Sequence, residues 1–213
     1  MLVELSNLRR EYCQGNLSES DVNPNPFLQF ESWLQQVIEA KLPDPTAMVV
    51  ATVDATGQPS QRIVLLKNCD ENGFVFFTNL GSRKAQELKN NPKISLHFPW
   101  HILERQVIVY GEVEPLSTKE NMAYFLSRPK ESQLAAYASH QSQPIKSREL
   151  LMQGFARMKD KFLKGEIPAP DFWGGFRVKP IKIEFWQGGE HRLHDRMLYT
   201  KTQQGWSIER LAP

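Results

Sequence analysis

Short runs of β-branched and aromatic residues, separated by turn-forming residues, constrain this chain more than any other feature of its sequence. The runs predict strands at 47–54, 61–66, 74–78, 93–98, 106–113, 176–186, 192–201 and 206–211. Turn sequences such as Ala55-Thr56-Gly57 join consecutive runs. Short strands at this spacing favour an antiparallel β-barrel over a parallel sheet.

Helical patterns lie before and between the strands. Apolar residues recur at helical spacing from Phe27 to Ile38 and predict a helix to about Lys41, which Pro43 ends. Further helices are predicted at 82–88, from the capping-box residues 117–120 onward, and at 147–163. The predicted fold class is therefore mainly β with α, an α+β fold whose antiparallel barrel carries peripheral helices.

The charge balance excludes several classes of partner. The 26 Lys and Arg residues nearly offset the 24 Asp and Glu residues, and the net charge of +2 implies no long-range field for nucleic acid or an anionic membrane. No stretch approaches the roughly 20 apolar residues of a membrane helix, and the first residues lack the apolar core of a secretory signal. Cys13 and Cys69 lie far apart, which is typical of a reduced chain, so we expect a cytoplasmic location.

The sequence lacks the motifs of several common enzyme classes. Its five histidines and two cysteines show no metal-ligand spacing, so no metal site is expected. It contains no G-x-G-x-x-G motif after a strand and no G-x-S-x-G motif. Dinucleotide binding and serine-hydrolase chemistry are therefore disfavoured.

Two basic segments are candidate anion sites. Gly81-Ser82-Arg83-Lys84 places two cations and a hydroxyl at a predicted helix start, where backbone N–H groups and the helix dipole favour a phosphate. A capped surface helix with solvated cations explains the same residues. Arg62 and Lys67 stand at the two ends of an apolar run, and strand alternation sends them to opposite faces unless a bulge intervenes. A strand whose ends simply reach water is the alternative there.

A third cluster lies on the predicted strand 192–201. Alternation places Arg192, His194 and Arg196 on one face of that strand. Three potential cations repel one another unless an anionic or electron-rich ligand faces them. The solvated face of an edge strand is the alternative, and the neighbouring Gly188-Gly189 weakens it, because glycines permit a close approach of a ligand.

A fourth cluster lies on a predicted helix. Tyr124 and Arg128 are four residues apart and share one helical face, with Ser132 just beyond the break at Pro129. A phenol, a guanidinium and a hydroxyl that converge suit a phosphate. An ordinary helical surface gives the same pattern.

Taken in order along the chain, several segments resemble the pyridoxamine 5′-phosphate oxidase family. The segments are Arg9-Arg10-Glu11-Tyr12, residues 44–48, 61–67, 78–84, 172–177 and 185–196, and the ending 209–213. The resemblance implies an N-terminal arm at 1–26 that forms a substrate flap, and a single FMN-binding split-barrel domain at 27–213. It also implies a homodimer with FMN held between the subunits.

The same resemblance implies a role for each candidate residue. The positions that contact FMN in the family match Arg62, Ile63, Val64, Leu65, Leu66, Lys67, Phe77, Thr78, Arg83, Lys84, Gln106, Gln141, Ser142, Trp186 and Arg196. The positions that hold the substrate phosphate match Lys67, Tyr124, Arg128 and Ser132. The resemblance also implies that Arg192 and His194 face the pyridine ring as the catalytic pair and that Leu193 is a further substrate-binding residue. It implies that Arg9, Arg10, Glu11 and Tyr12 form the flap over bound substrate.

The implied reaction is the last step of pyridoxal 5′-phosphate formation. Pyridoxamine or pyridoxine 5′-phosphate transfers a hydride from C4′ to flavin N5, and O2 reoxidises the flavin to give hydrogen peroxide, with ammonia released from the amine. Two rival functions remain open at this point. One is a flavin reductase that takes electrons from a nicotinamide, and the other is a non-catalytic carrier of flavin or pyridoxal phosphate.

Overall fold

The computed structural model describes residues 8, 10–163 and 165–213. Its strands are β1 (Ala47–Val53), β2 (Pro59–Leu65), β3 (Asn68–Asp70), β4 (Gly73–Asn79), β5 (Lys93–Trp100), β6 (Arg105–Pro115), β7 (Trp173–Gln187), β8 (Asp195–Thr202) and β9 (Gly205–Leu211). Its α-helices are α1 (Pro26–Glu39), α2 (Arg83–Asn90), α3 (Thr118–Ser127), α4 (Lys130–Ala138) and α5 (Arg148–Lys161). Two 3₁₀ turns, His101–Leu103 and Glu190–Arg192, complete the described elements.

The strands form one sheet in the order β2-β1-β5-β6-β7-β4-β3, with β8 paired to β7 and β9 paired to β8. The pairing is antiparallel where β4 meets β7, with Phe76 opposite Phe176. It is antiparallel again between β7 and β8, where Trp186 lies opposite Arg196. The predicted antiparallel architecture with peripheral helices is confirmed.

Backbone contacts divide the described chain into two compact units. Unit 1 comprises the described residues up to Val50, together with Ser95–Gly111 and Pro180–Pro213. Unit 2 comprises Ala51–Ile94 and Glu112–Lys179.

The core of unit 1 forms around the apolar face of α1. Asn25 caps this helix by accepting a hydrogen bond from the backbone N–H of Phe27, and Pro26 occupies its first turn, where a missing N–H costs nothing. Phe30 packs on Phe98 with ring centroids 4.9 Å apart, and Trp33 meets Phe185 at 5.2 Å. The helix predicted from Phe27 is confirmed.

The core of unit 2 lies between β4, β7 and the helices that follow β6. Phe125, Leu134, Ile167 and Trp173 form one buried cluster. Ser117 and Glu120 make the predicted capping box at the start of α3, each side chain binding the other residue's backbone N–H. The helix therefore begins where the sequence pattern places it.

The predicted strand 192–201 is wrong at its start. β8 begins at Asp195, because His191 and Arg192 adopt positive φ angles of 52° and 64° and turn the chain before the ladder forms. Arg192, His194 and Arg196 therefore do not alternate along one strand face. Strand β3 and helix α4 were not predicted, and Ser82 precedes α2 without a capping hydrogen bond from its side chain.

Candidate functional site

A cavity of about 390 Å³ in unit 2 gathers candidate residues that are distant in sequence. Its lining includes these predicted cofactor and substrate residues: Ile63, Val64, Leu65, Lys67, Phe77, Thr78, Lys84, Tyr124, Arg128 and Gln141. The end of β2, the end of β4, the first turn of α2 and the end of α3 supply most of them. The separate motifs of the sequence therefore converge on one cavity.

Lys84 is the buried cation of this cavity. Helix α2 directs its ammonium group to the Thr78 hydroxyl at 3.0 Å and to the Gln141 side-chain oxygen at 2.9 Å. Burial, together with the nearby charge of Arg62, lowers the pKa of Lys84 to about 8, against the opposing attraction of Glu87. Because its hydrogen-bond acceptors here are neutral oxygens, an anionic ligand would stabilise the charged ammonium group.

Glu87 organises the cations beside this cavity. Its buried carboxylate accepts hydrogen bonds from the Ser60 hydroxyl at 2.8 Å and from Nε of Arg83 at 2.7 Å, and it also accepts one from Thr52. Burial alone would raise the pKa of Glu87, but these hydrogen bonds outweigh it and lower the pKa to about 2. Arg62 lies 3.4 Å from the same carboxylate, so Arg62 and Arg83 are held in fixed positions next to Lys84.

Stacked aromatic rings form one wall of the cavity. The ring of Phe77 lies 4.0 Å from that of Tyr124 and 5.1 Å from that of Trp173, nearly parallel to both. Gly175 makes this possible, since a Cβ there would lie 2.7 Å from Phe77 Cδ1. Trp173 was part of the resembling segment 172–177 but received no role from the sequence. An aromatic residue followed by two glycines, Trp173-Gly174-Gly175, was the sequence signal for this close ring packing, and it was missed.

Arg128 lies against the same wall with an unsatisfied donor. It is the C-cap residue of α3, and its guanidinium carbon lies 4.9 Å from the ring centroid of Trp173. Within the described part of the chain, its buried Nη1 atom has no hydrogen-bond partner. A buried guanidinium nitrogen of this kind is suited to an oxygen of an anionic ligand.

A second cavity, of about 860 Å³, lies in unit 1. Its lining comprises Leu8, Arg10, Glu11, Tyr12, Trp186, Arg192 and His194, so it unites the predicted flap and the predicted ring-facing pair. Tyr12 meets Trp186 and His194 edge to face, with centroids 5.9 and 5.5 Å apart. Arg9 lies outside the described residues.

His194 has a defined orientation in this second cavity. Its Nδ1 accepts a hydrogen bond from the backbone N–H of Gly189 at 3.1 Å. The proton of the neutral ring therefore belongs on Nε2, which makes Nε2 the donor. Arg192 is exposed, and its positive φ sets the direction of the chain just before His194.

Several predicted residues do not line either cavity. Arg83 pairs with Glu87, Gln106 binds His97 at 3.1 Å, and Arg196 donates to Glu184 at 2.8 Å. The others are the buried Leu66, the exposed Leu193, the half-buried Ser132 on α4, Ser142 with φ 72°, and Arg62. Gln106, Arg196 and Leu193 belong to unit 1, and the rest to unit 2.

The described residues also lack two kinds of feature. They include no group of three or more His, Cys, Asp or Glu side chains placed to hold a metal ion. Every helix among them is too short or too polar to cross a membrane.

Desolvated cations and stacked aromatic rings line one cavity of an antiparallel sheet protein, and this combination is typical of proteins that bind a phosphorylated aromatic ligand. Family models identify which proteins of this class the chain resembles. Residues 34–161 match the model described as pyridoxamine 5′-phosphate oxidase, and residues 173–213 match the pyridoxine 5′-phosphate oxidase C-terminal dimerisation region. The chain belongs to the pyridoxamine 5′-phosphate oxidase family.

Individual relatives agree with this assignment. The pyridoxine/pyridoxamine 5′-phosphate oxidase of Pseudoalteromonas translucida is 66% identical over 99% of this chain and 100% of its own length. The protein of the same name from Alteromonas mediterranea is 64% identical over the same shares. The crystal structure of PhzG from Burkholderia lata 383, in complex with tetrahydrophenazine-1-carboxylic acid, is 29% identical with a TM-score of 0.87, over 92% of this chain and 98% of that one.

These matches confirm the predicted split-barrel fold class and, at the level of the family, the predicted FMN cofactor and oxidase reaction. The second family model also supports the expected homodimer, because it describes a dimerisation region.

Proposed function

We propose that this chain oxidises pyridoxamine and pyridoxine 5′-phosphates to pyridoxal 5′-phosphate, with O2 as the final oxidant, and that its two cavities serve this reaction. One observation carries the proposal. Lys84 and Arg128 are desolvated cations in a single cavity, which stacked aromatic rings also line. Such a cavity suits phosphates attached to flat rings.

The residues of unit 2 fit FMN. Its phosphate is dianionic, and the acceptors that Lys84 reaches at hydrogen-bond distance among the described residues, Thr78, Ser82 and Gln141, are all neutral. We assign the FMN phosphate to Lys84, Arg62 and Arg83, with Thr78, Gln141 and Ser142 as further polar contacts. The apolar residues Ile63, Val64, Leu65 and Leu66, with Phe77, would hold the flavin ring.

The substrate phosphate is assigned to the far wall of the same cavity. The buried Nη1 of Arg128, which has no hydrogen-bond partner in the described chain, is the anchor, and Tyr124 and Lys67 line the same cavity. Ser132 on α4 lies outside the lining and is assigned to the phosphate as the fourth member of the set. Remote binding of this phosphate fixes the reacting carbon, which converts binding energy into rate. Arg128 thus contributes to catalysis by holding the substrate phosphate, which positions the reacting carbon.

The second cavity supplies the ring-facing groups. His194 presents a proton on Nε2 and Arg192 adds a positive charge, so together they would orient the pyridine ring and polarise it. The arm residues Arg10, Glu11 and Tyr12 cover the cavity as a flap, and Arg9 belongs to the same proposed segment. When bound, FMN supplies the hydride acceptor, which no side chain provides.

We also place FMN at the interface of the homodimer. The exposed Ile63 and Leu65 support this placement, because they leave apolar surface beside the cavity of unit 2 for a partner subunit to cover. Trp186, Gln106 and Arg196, which belong to unit 1, are assigned to FMN on the resemblance of their positions to the family alone. A cytoplasmic location is part of the same proposal, since the sequence holds two cysteines, Cys13 and Cys69, which lie far apart and outside any C-x-x-C pattern.

An anaerobic spectrum tests the function. Purified protein should be yellow and should bleach when pyridoxamine 5′-phosphate is added without oxygen. A flavin reductase would bleach with a reduced nicotinamide instead, and a carrier would bleach with neither.

Variants test the roles of the ring-facing pair. Arg192→Ala and His194→Ala should stay yellow but bleach about 100-fold more slowly, because the ring is no longer oriented. Lys130→Ala, on the exposed start of α4, is the matched control and should bleach at the normal rate. Bleaching of both ring-facing variants at the normal rate would remove them from the mechanism.

A further inference from the structure

Glu104 is a fully buried carboxylate that binds Arg10, one of the residues lining the unit 1 cavity. It follows the 3₁₀ turn His101–Leu103, and its side chain has 0% exposure. Its backbone is left-handed, with φ 54° and ψ 37°, an unusual conformation for a residue with a side chain. Burying a carboxylate is costly unless several donors satisfy it.

The donors to Glu104 come from both sides of Tyr12. One carboxylate oxygen accepts from the Arg10 guanidinium, and the other accepts from the backbone N–H of Gln14 at 2.9 Å. Arg10 also lies over the Tyr12 ring, with its guanidinium carbon 4.9 Å from the centroid. The carboxylate thus fixes the chain on each side of that ring.

The backbone of Glu104 is tied to the end of β7. Its carbonyl accepts from the N–H of Gly188 at 2.7 Å and from the Gln187 amide at 3.3 Å. A Cβ added at Gly188 would lie 2.9 Å from Tyr12 Cγ and 3.1 Å from Glu104 Cβ. Glu104, Gly188 and Tyr12 therefore pack directly on one another. Gly188 lies two residues after Trp186, which lines the cavity.

We propose that Glu104 is a positioning residue, which clamps residues 10–14 so that Tyr12 closes the cavity against Trp186 and His194. The inference rests on the proposed function, because it assigns that cavity to the substrate ring. Burial alone would raise the pKa of Glu104, but the hydrogen bonds from Gln14 and Arg10 lower it, so the carboxylate is charged at neutral pH. The clamp therefore consists of two charge-assisted hydrogen bonds, from Arg10 and from the Gln14 N–H to the Glu104 carboxylate.

Glu104→Gln is the direct test. Glutamine matches the carboxylate in size but has one acceptor oxygen, so its NH2 group must face either Arg10 or the Gln14 N–H. Loss of a charged hydrogen bond corresponds to about tenfold in an equilibrium. We expect KM for pyridoxamine 5′-phosphate to rise about tenfold while kcat stays nearly constant, because the closed arm binds ground and transition states alike.

The arm itself gives a second readout. Chymotrypsin should cleave after Tyr12 about tenfold faster in Glu104→Gln, because the closed arm is less populated. Glu112→Gln, the same chemical change at an exposed position of β6, is the matched control and should leave both readouts unchanged. Wild-type KM together with wild-type cleavage in Glu104→Gln overturns the proposal.

A double mutant separates the clamp from a general loss of structure. Arg10→Met alters an arm side chain that is 56% exposed and should reproduce both effects. Because the two residues act as one pair, Arg10→Met with Glu104→Gln should be little worse than the more severe single variant. Additive effects would contradict the clamp. If the wild-type protein does not oxidise pyridoxamine 5′-phosphate, the proposed function fails, while the cleavage rates still decide whether Glu104 holds the arm.

Discussion

The guanidinium group of Arg128 lies over the ring of Trp173, with its central carbon 4.9 Å from the ring centroid. A flat cation on an aromatic face is stabilised without an anion, which allows its Nη1 to stay buried with no hydrogen-bond partner in the described chain. The free-energy penalty of burying that unsatisfied donor is removed when an anion accepts a hydrogen bond from it. The arrangement is therefore prepared for a phosphate oxygen.

Replacing Arg128 should act on the phosphate of the substrate. Arg128→Met should raise KM for pyridoxamine 5′-phosphate about 100-fold, and Arg128→Lys about tenfold, because lysine keeps the charge but loses the planar fork. Steady-state kinetics with pyridoxamine, which lacks the phosphate, supply the internal control, since its slow turnover should not change. An equal loss for both compounds would contradict the assignment.

Lys84 predicts that FMN binding depends on pH. With a pKa of about 8 in the free protein, its ammonium is charged below that pH and neutral above it. A bound phosphate raises this pKa, so FMN affinity should fall as pH increases past 8, by up to about tenfold per pH unit. Quenching of FMN fluorescence between pH 6.5 and 9.5 measures the change.

A variant separates Lys84 from other titrating groups. Lys84→Met should bind FMN more weakly and with little pH dependence across that range. Lys89→Met, on the exposed last turn of the same helix, should keep the wild-type profile. The same slope in Lys84→Met as in the wild type would show that another group titrates.

Much of the fold was predictable because its signals are local. The helix α1 follows from the apolar spacing of Phe30, Trp33 and Val37. The start of β8 was not predictable in this way, since the positive φ angles of His191 and Arg192 leave no mark on the alternation of residue types. The alternation of residue types therefore predicted a strand that starts three residues too early, inside the turn before Asp195.

The site was less predictable from local pattern. Lys84 and Gln141 meet at 2.9 Å although 57 residues separate them, and no periodicity connects an exposed loop to the start of a helix. Glu104 belongs to no motif and was missed, because its role depends on two donors some 90 residues earlier. Only the resemblance to a family joined Lys84 and Gln141 into one set.

From the low pKa of Glu87 we expect the folding stability of unit 2 to fall in acid. Its pKa is about 2 in the folded chain against an ordinary 4.5, so its stabilisation is fully present above pH 4.5 and is lost as pH falls towards 2. Glu87→Gln should therefore cost about 2 kcal/mol at pH 7 and flatten the loss of stability in acid. Urea midpoints from pH 3 to pH 7 measure both effects, with Glu71→Gln in an exposed turn as the control. An unchanged midpoint at pH 7 would show that the hydrogen bonds to Glu87 contribute little.

Gly175 predicts that the aromatic wall tolerates no added carbon. A Cβ at this position would lie 2.7 Å from both Phe77 Cδ1 and Leu116 Cδ1, so one ring or side chain must move. The backbone itself is fixed, because its N–H donates to Asn121 and its carbonyl accepts from Leu116. Gly175→Ala should therefore displace Phe77 from its stack, at a cost of about 1–3 kcal/mol, and weaken FMN retention on dilution.

Two further variants show whether the steric contact with Phe77 causes that loss. Gly154→Ala adds the same carbon inside α5, where the nearest atom is 3.6 Å away, and should leave the protein neutral or stabilised. Phe77→Leu in the Gly175→Ala background makes room for the new methyl group and should restore part of the lost stability, although not the stacking. If the double variant is less stable than Gly175→Ala alone, the contact between position 175 and Phe77 is not the source of the strain, and the Leu116 contact takes its place.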